Sequence, residues 1–268
     1  MKKLALLIML VLVAFSATCF AEVNWNEDVV SADGYGTPPQ NTVNPAQANI
    51  LARRAAVVDG QRNLLEQIKG VSLDANTTVQ DAMVMSDTIV TNVNGFLKGA
   101  KVVKENWTPE GAYHVVLQVR LYGENSLANA VIPASGISGG ANPQAIPRAS
   151  AGISAGAVTG LVVDCRGLKL ERAMAPAIYD ENDRIIYSSR YISSDLLIAS
   201  GLCDYDTIED MHSLSFRAGA QPLMIKPLKL RDFNRNIVVS VKDGELILVA
   251  NQKNEILKNT KVVFLSGK

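Results

Sequence analysis

The chain has 268 residues, close to half of them apolar, and sets 26 Lys and Arg against 26 Asp and Glu with only two histidines. That balance excludes the basic surface on which nucleic-acid binding depends. Beyond the N-terminus no apolar run reaches the roughly 20 residues of a membrane-spanning helix.

Lys2 and Lys3 precede an apolar run over residues 4–15 and then small residues, the three-part layout of a secretory signal. Cleavage between Ala21 and Glu22 puts Cys19 and Ala21 at the two small-residue positions. Lipid attachment at Cys19 would want a leucine-like residue three positions earlier, where Ser16 stands, so soluble export is favoured over a lipid anchor. The expected location is therefore periplasmic or outer-membrane-associated. Removing residues 1–21 takes away two lysines and no acid, leaving 24 basic side chains against 26 acidic ones. Cys165 and Cys203 then meet an oxidising compartment, as partners in one disulfide or as two unpaired buried thiols.

The roughly 250 remaining residues suit two small domains. Residues 132–157 hold almost nothing but small residues and prolines, which predicts a flexible linker between an N-terminal domain at 22–131 and a C-terminal domain at 158–268. In the first, residues 29–32 read as a short strand. Asn44 caps a helix that opens on Pro45, and Leu51, Ala55, Val58 and Leu65, widened by Leu64 and Ile68, form the stripe expected to pack on a sheet. Residues 71–84 are rich in β-branched side chains and predict a strand. Ser86 caps a shorter helix through Ile89 and Val93, and a hairpin turns around Pro109, Glu110 and Gly111. Tyr113, Val115, Leu117, Val119 and Leu121 alternate onto one face of its second arm. The order β-α-β-α-β-β gives an α+β domain with helices on one face of an antiparallel sheet.

The second domain opens on a strand over residues 160–163, followed by a hairpin turning at residues 180–183. A helix capped at Ser193 or Ser194 closes at Gly201, two strand-like runs flank Pro227, a helix covers residues 246–250, and residues 261–265 form the last strand. The fold class is thus α+β: two small domains with antiparallel or mixed sheets and helices packed on one face.

Candidate chemistry is sparse. The hydrolase pattern G-x-S-x-G occurs around Ser138 and Ser154, but both serines lie in the small-residue segment and lack the strand and helix that a nucleophile elbow requires. Gly34 and Gly36 imitate a dinucleotide loop, yet prolines follow where a helix should begin, so they serve the exit from the first strand. His114 and His212 stand apart from any metal-spaced ligand. Asp180, Glu181, Asn182 and Asp183 fit a solvated turn better than a calcium loop, and Arg53, Arg54 and Arg62 fit a helix edge. Cys165, between Asp164 and Arg166, fits a packed or bridged residue better than a nucleophile. No catalytic, cofactor-binding or metal-binding residues are assigned.

Three stretches carry a resemblance: "VVSADGYGTPP", "AQANILARRAAVVDGQRNLLEQIKGVSLDANTTV" and "GFLKGAKVVKENWTPEGAYHVVLQVRLYG". They resemble the LPP20 family of bacterial envelope lipoproteins and the related N-terminal domain of flagellar assembly protein T. The second half, from "GLVVDCRGLKLERAMAPAIYDENDRIIY", looks like the C-terminal region of similar exported proteins, in which an alanine commonly stands at the position of Cys165. The resemblance implies a non-enzymatic envelope role, structural or in assembly, with other envelope proteins as partners and a connection to flagella. A periplasmic module binding a small ligand or an envelope polymer is the alternative. It implies no cofactor and leaves the oligomeric state open.

Overall fold

A computed structural model of the chain describes residues 22–40, 44–150, 156–207 and 215–267. The signal segment with Cys19 and Ala21, together with Ser154 and His212, lies outside the described residues. Among the described residues no helix is long and apolar enough to cross a membrane.

The first half is a four-stranded antiparallel sheet in the order β1-β2-β4-β3, formed by β1 (Glu22–Asn24), β2 (Val29–Gly36), β3 (Lys101–Trp107) and β4 (Tyr113–Arg120). The long helix α1 (Pro45–Gly70) covers one face. Its start follows from the sequence: the Asn44 side chain accepts from the Ala46 amide at 2.9 Å, and Pro45 takes the first turn, where no amide proton is needed. The buried stripe is not the expected one. Ala52, Ala56, Gly60, Leu64 and Ile68 face the sheet, while Ala55 and Val58 are exposed and Leu51 and Leu65 only partly covered. The reason is close approach. Gly34 and Gly36 lie within β2, directly under the helix, and a Cβ at Gly34 would sit 2.2 Å from the Ala56 carbonyl oxygen and 2.4 Å from the Gly60 nitrogen. Side chains larger than alanine cannot stand at that crossing, so the contact surface is made of small residues. Because β1 pairs only with the first part of β2, α1 also serves the open stretch of that strand. Asp59 accepts from the Tyr35 amide at 2.9 Å, and Asn63 donates to the Asp33 carbonyl at 2.8 Å.

The strand expected over residues 71–84 does not form. Residues 79–85 are helix α2 (Val79–Met85), started by a capping box: the Asp81 amide donates to the Thr78 hydroxyl at 3.2 Å, and the Thr78 amide donates to the Asp81 carboxylate at 2.8 Å. The local cap outweighs the β-branched composition. Helix α3 (Asp87–Lys98) begins at the Ser86 cap and buries Ile89, Val93 and Leu97. Helix α4 (Leu127–Ser135), capped by Ser126 and closed by Gly136 at φ 70°, extends past the expected domain boundary at residue 131. Residues 136–150 are docked and not a free tether. The Gly139 amide donates to the carbonyls of Ser189 and Ile192, the Gln144 amide to that of Arg190, and Ser150 and Arg148 are held by Glu245 and Arg184. Small residues here permit contact: a Cβ at Gly139 would fall 2.5 Å from the Arg190 carbonyl oxygen.

The second half contains two four-stranded sheets. One runs β10-β11-β6-β7 and is mixed, with β6 (Ile178–Asp180), β7 (Ile185–Tyr187), β10 (Lys229–Arg231) and β11 (Asn236–Val239), β11 parallel to β6. The other runs β8-β12-β5-β9, from β5 (Leu161–Asp164), β8 (Asp204–Asp206), β9 (Leu223–Ile225) and β12 (Val262–Leu265), and every pairing in it is parallel. Continuous apolar runs such as Leu161-Val162-Val163 are what a strand buried on both faces requires. One face joins the main core through Leu161, Val163 and Phe264. The other packs Val162, Val263 and Leu265 against Ala218 of the short helix α6 (Ser215–Ala218). Helix α5 (Ser194–Ser200) is capped by Ser193 and closed by Gly201, as expected, and α7 (Val241–Asn254) extends the helix expected at 246–250.

The two halves share one continuous core. Backbone bonds join them, from the Met174 amide to the Ser72 carbonyl at 2.9 Å, Ala175 to Leu73 at 2.7 Å and Gly123 to Ile198 at 2.8 Å.

Candidate functional site

Where the halves meet, α2, α3 and the end of α4 face the segment around Tyr179 and the turn at residues 188–190. Between them lies an open cleft of about 620 Å³, within the range of small-molecule sites. Ala82, Met85, Ile89 and Ile137 supply apolar wall. Most of its polar lining is already engaged. The Asn236 side chain accepts from the Ala177 amide and donates to Asp232, both at 2.8 Å; Ser138 pairs with Ser194 at 2.7 Å; Ser135 donates to the Ile132 carbonyl. Ser138 is therefore a structural hydroxyl, hydrogen-bonded to another serine and away from any nucleophile elbow. Ser188 differs: it is only 8% exposed, and its hydroxyl has no hydrogen-bond partner.

A second polar array lies on the face of the first sheet that α1 leaves uncovered. His114 Nε2 is 2.6 Å from Asp33 Oδ1, and its Nδ1 is 3.1 Å from Asn106 Oδ1. Tyr35 stacks on the imidazole at 4.7 Å between ring centres. Cross-strand neighbours on a pleated face produce this cluster, since Tyr35 pairs with His114 and His114 with Asn106. Both ring nitrogens are taken, so the ring has none to hold a nucleophile, and the arrangement is a surface network and not a triad.

Cys165 and Cys203 correct the expectation of a disulfide. Both thiols are free and buried. Each flanks a strand beside β12: Cys165 lies opposite Ser266 and Cys203 opposite Val262, on different sides of β12. That places them two strand spacings apart, about 10 Å, and four residues apart along the strands, about 13 Å, too far to bridge. Burial, helped by the Asp164 charge, pushes the Cys165 thiol up to about 12, and burial raises Cys203 well above its ordinary value. Arg166 is committed to Asp164, with Nε 2.8 Å from Oδ1, so its charge does not activate the neighbouring sulfur.

Residues 38–120 match the LPP20 lipoprotein family. Residues 160–268 match a second model, described as Treponema pallidum Tp0624, second domain. No curated protein matches the chain. The LPP20 region holds α1, α2, α3 and the β3–β4 hairpin, and so contributes His114 to the surface array and Asp74, Met85 and Ile89 to the cleft. The region like Tp0624 contributes Ser188, Arg190 and Asn236. The cleft is thus assembled from both matched regions, with the docked segment 134–138 between them.

Other residues singled out in the sequence have structural settings. Asp180 accepts from the amides of Asn182 and Arg184 at 2.9 and 3.0 Å, and Asp183 at φ 63° pairs with Arg231, the solvated turn expected there. Arg53 pairs with Glu105 at 2.7 Å across the sheet edge. Sequence reasoning missed Asp28, in the β1–β2 turn. Burial and the nearby Asp204 charge push its carboxyl up to about 6, against the opposing pull of Arg217. It also missed Ser188 and Arg190, because "SSR" carries no motif and only the chain's return brings them opposite α2 and α3.

Proposed function

We propose that this is an exported cell-envelope protein that acts through contacts with other proteins and carries out no reaction of its own. The observation that carries the proposal is the uncovered sheet face of the LPP20 region. Ser31, Asp33, Tyr35, Lys101, Lys104, His114, Gln118 and Arg120 stand on it, no described helix covers it, and it ends in edge strand β3, exposed along nearly its whole length. Polar, ordered side chains beside an unpaired strand edge suit a protein partner, which can add both side-chain and backbone hydrogen bonds. The match to a lipoprotein family supports the envelope setting. The protonated, inaccessible thiols and the doubly engaged His114 favour binding over catalysis.

In its finer form the proposal places the mature chain, cut between Ala21 and Glu22, in the periplasm or at the outer membrane, with a flagellar connection as the resemblance to flagellar assembly protein T suggests. A deletion strain tests this through motility, envelope integrity and the proteins that co-purify with a tagged copy. Normal motility removes the flagellar part, and purified protein turning over a defined substrate refutes the whole. A second reading, a binding module for a small ligand, is supported by the cleft between the halves.

A further inference from the structure

Three features of the cleft point to one kind of occupant. The first is the Ser188 hydroxyl, nine-tenths buried on the cleft wall and without a partner. A buried hydroxyl left unpaired costs roughly 1–3 kcal/mol, so its partner belongs to whatever fills the cleft. The second is Arg190, two residues on, whose guanidinium makes no ion pair or hydrogen bond among the described residues. The third is Asp74 on the opposite half. One of its oxygens, Oδ1, accepts from the Asn76 and Thr77 amides, both at 2.8 Å, which fixes the carboxylate, and the other accepts no hydrogen bond among the described residues.

Asp74 and Arg190 are the charged residues lining the cleft, one of each sign, and they are not paired with each other. A polyanion would face Asp74, and a simple cation would leave Arg190 unused. A ligand with an ammonium at one end and a carboxylate at the other satisfies both, since a guanidinium holds a carboxylate in a two-pronged pair and a fixed carboxylate accepts from an ammonium. The cleft, at about 620 Å³, exceeds the size of a single amino acid, and Ala82, Met85, Ile89 and Ile137 offer small apolar contacts beside the polar ones. We propose that the cleft binds a short peptide with free termini, its carboxylate on Arg190, its ammonium at Asp74, and a main-chain amide on the Ser188 hydroxyl. This inference stands apart from the protein contacts proposed for the uncovered sheet face, and either can fail alone.

Calorimetric titration of the full mature chain with tri-alanine tests it, alongside C-amidated and N-acetylated tri-alanine. The expected result is saturable binding of the free peptide. Arg190→Ala should weaken it by roughly tenfold or more while leaving the amidated peptide's weaker binding unchanged, and Asp74→Asn, which keeps the turn, should do the same toward the acetylated peptide. Ser188→Ala should weaken all three. Melting curves establish that each variant is folded. Absence of saturable binding at millimolar peptide overturns the proposal, as does equal binding of the blocked peptides or indifference to Arg190→Ala and Asp74→Asn. The last two outcomes would mean that water alone satisfies Ser188.

Discussion

Replacing Gly34 by alanine adds one methyl group at the closest approach of β2 and α1. The new Cβ would meet Ala56 O at 2.2 Å, Gly60 N at 2.4 Å and Gly60 Cα at 2.6 Å, all of them backbone atoms that no rotamer change can move. Ordinary contact begins near 3.4 Å, so the helix must retreat by about 1 Å, which also loosens the contacts of Ala52, Ala56 and Leu64 with the sheet. Overpacking of this kind costs about 1–3 kcal/mol, and the rigid surroundings put Gly34→Ala at the upper end or beyond. The matched control is Gly95→Ala on the exposed side of α3, where nothing lies within 4 Å of the added carbon. There the helix gains about 0.5–1 kcal/mol. Urea denaturation followed by circular dichroism reads both: the midpoint should fall by roughly 0.5–1 M for Gly34→Ala and rise slightly for Gly95→Ala, with similar slopes. A Gly34→Ala midpoint within error of the parent would refute the account of α1 packing.

Asp28 supplies a pH signature. Its carboxyl binds a proton more tightly in the folded chain, at about 6, than in the unfolded one, so its contribution to stability is present at low pH and is lost as pH rises from about 4 to about 6. Asp28→Asn, which tolerates the residue's φ of 54°, should remove that slope and raise stability at pH 7 by on the order of 1–3 kcal/mol; an unchanged pH profile would remove Asp28 from the account. Cys165 and Cys203 should resist iodoacetamide in the native protein and both react in denaturant, and a linked Cys165–Cys203 peptide in a non-reducing map would contradict the register of β5, β8 and β12.

Legibility followed how local each signal was. Caps were readable because a few adjacent residues form them: Asn44 with Pro45, Ser86, and Ser193 with Gly201 all stand where the sequence placed them. The β3–β4 hairpin was readable from alternation, since one face of β4 is buried and the other is not. The stripe of α1 was misread because large side chains were taken as the contact, whereas the glycines of β2, distant in sequence, demand small ones. Residues 71–84 were misread because composition was weighed above the Thr78 and Asp81 capping box. The segment 136–150 looked like a tether because its small residues suit flexibility and tight docking equally, and Glu245, which holds Ser150, lies 95 positions away. The cleft was invisible for the same reason: Asp74 and Arg190 meet only through the packing of the two halves.

The central claim, that the uncovered face of the first sheet receives a protein partner, is tested most directly by photocrosslinking in living cells with a photoreactive residue at Lys104, on that face, and at Arg62, on the outer side of α1. The account predicts a discrete protein adduct from position 104 that is absent from position 62. Equal adducts from both positions, or none from position 104, would contradict it.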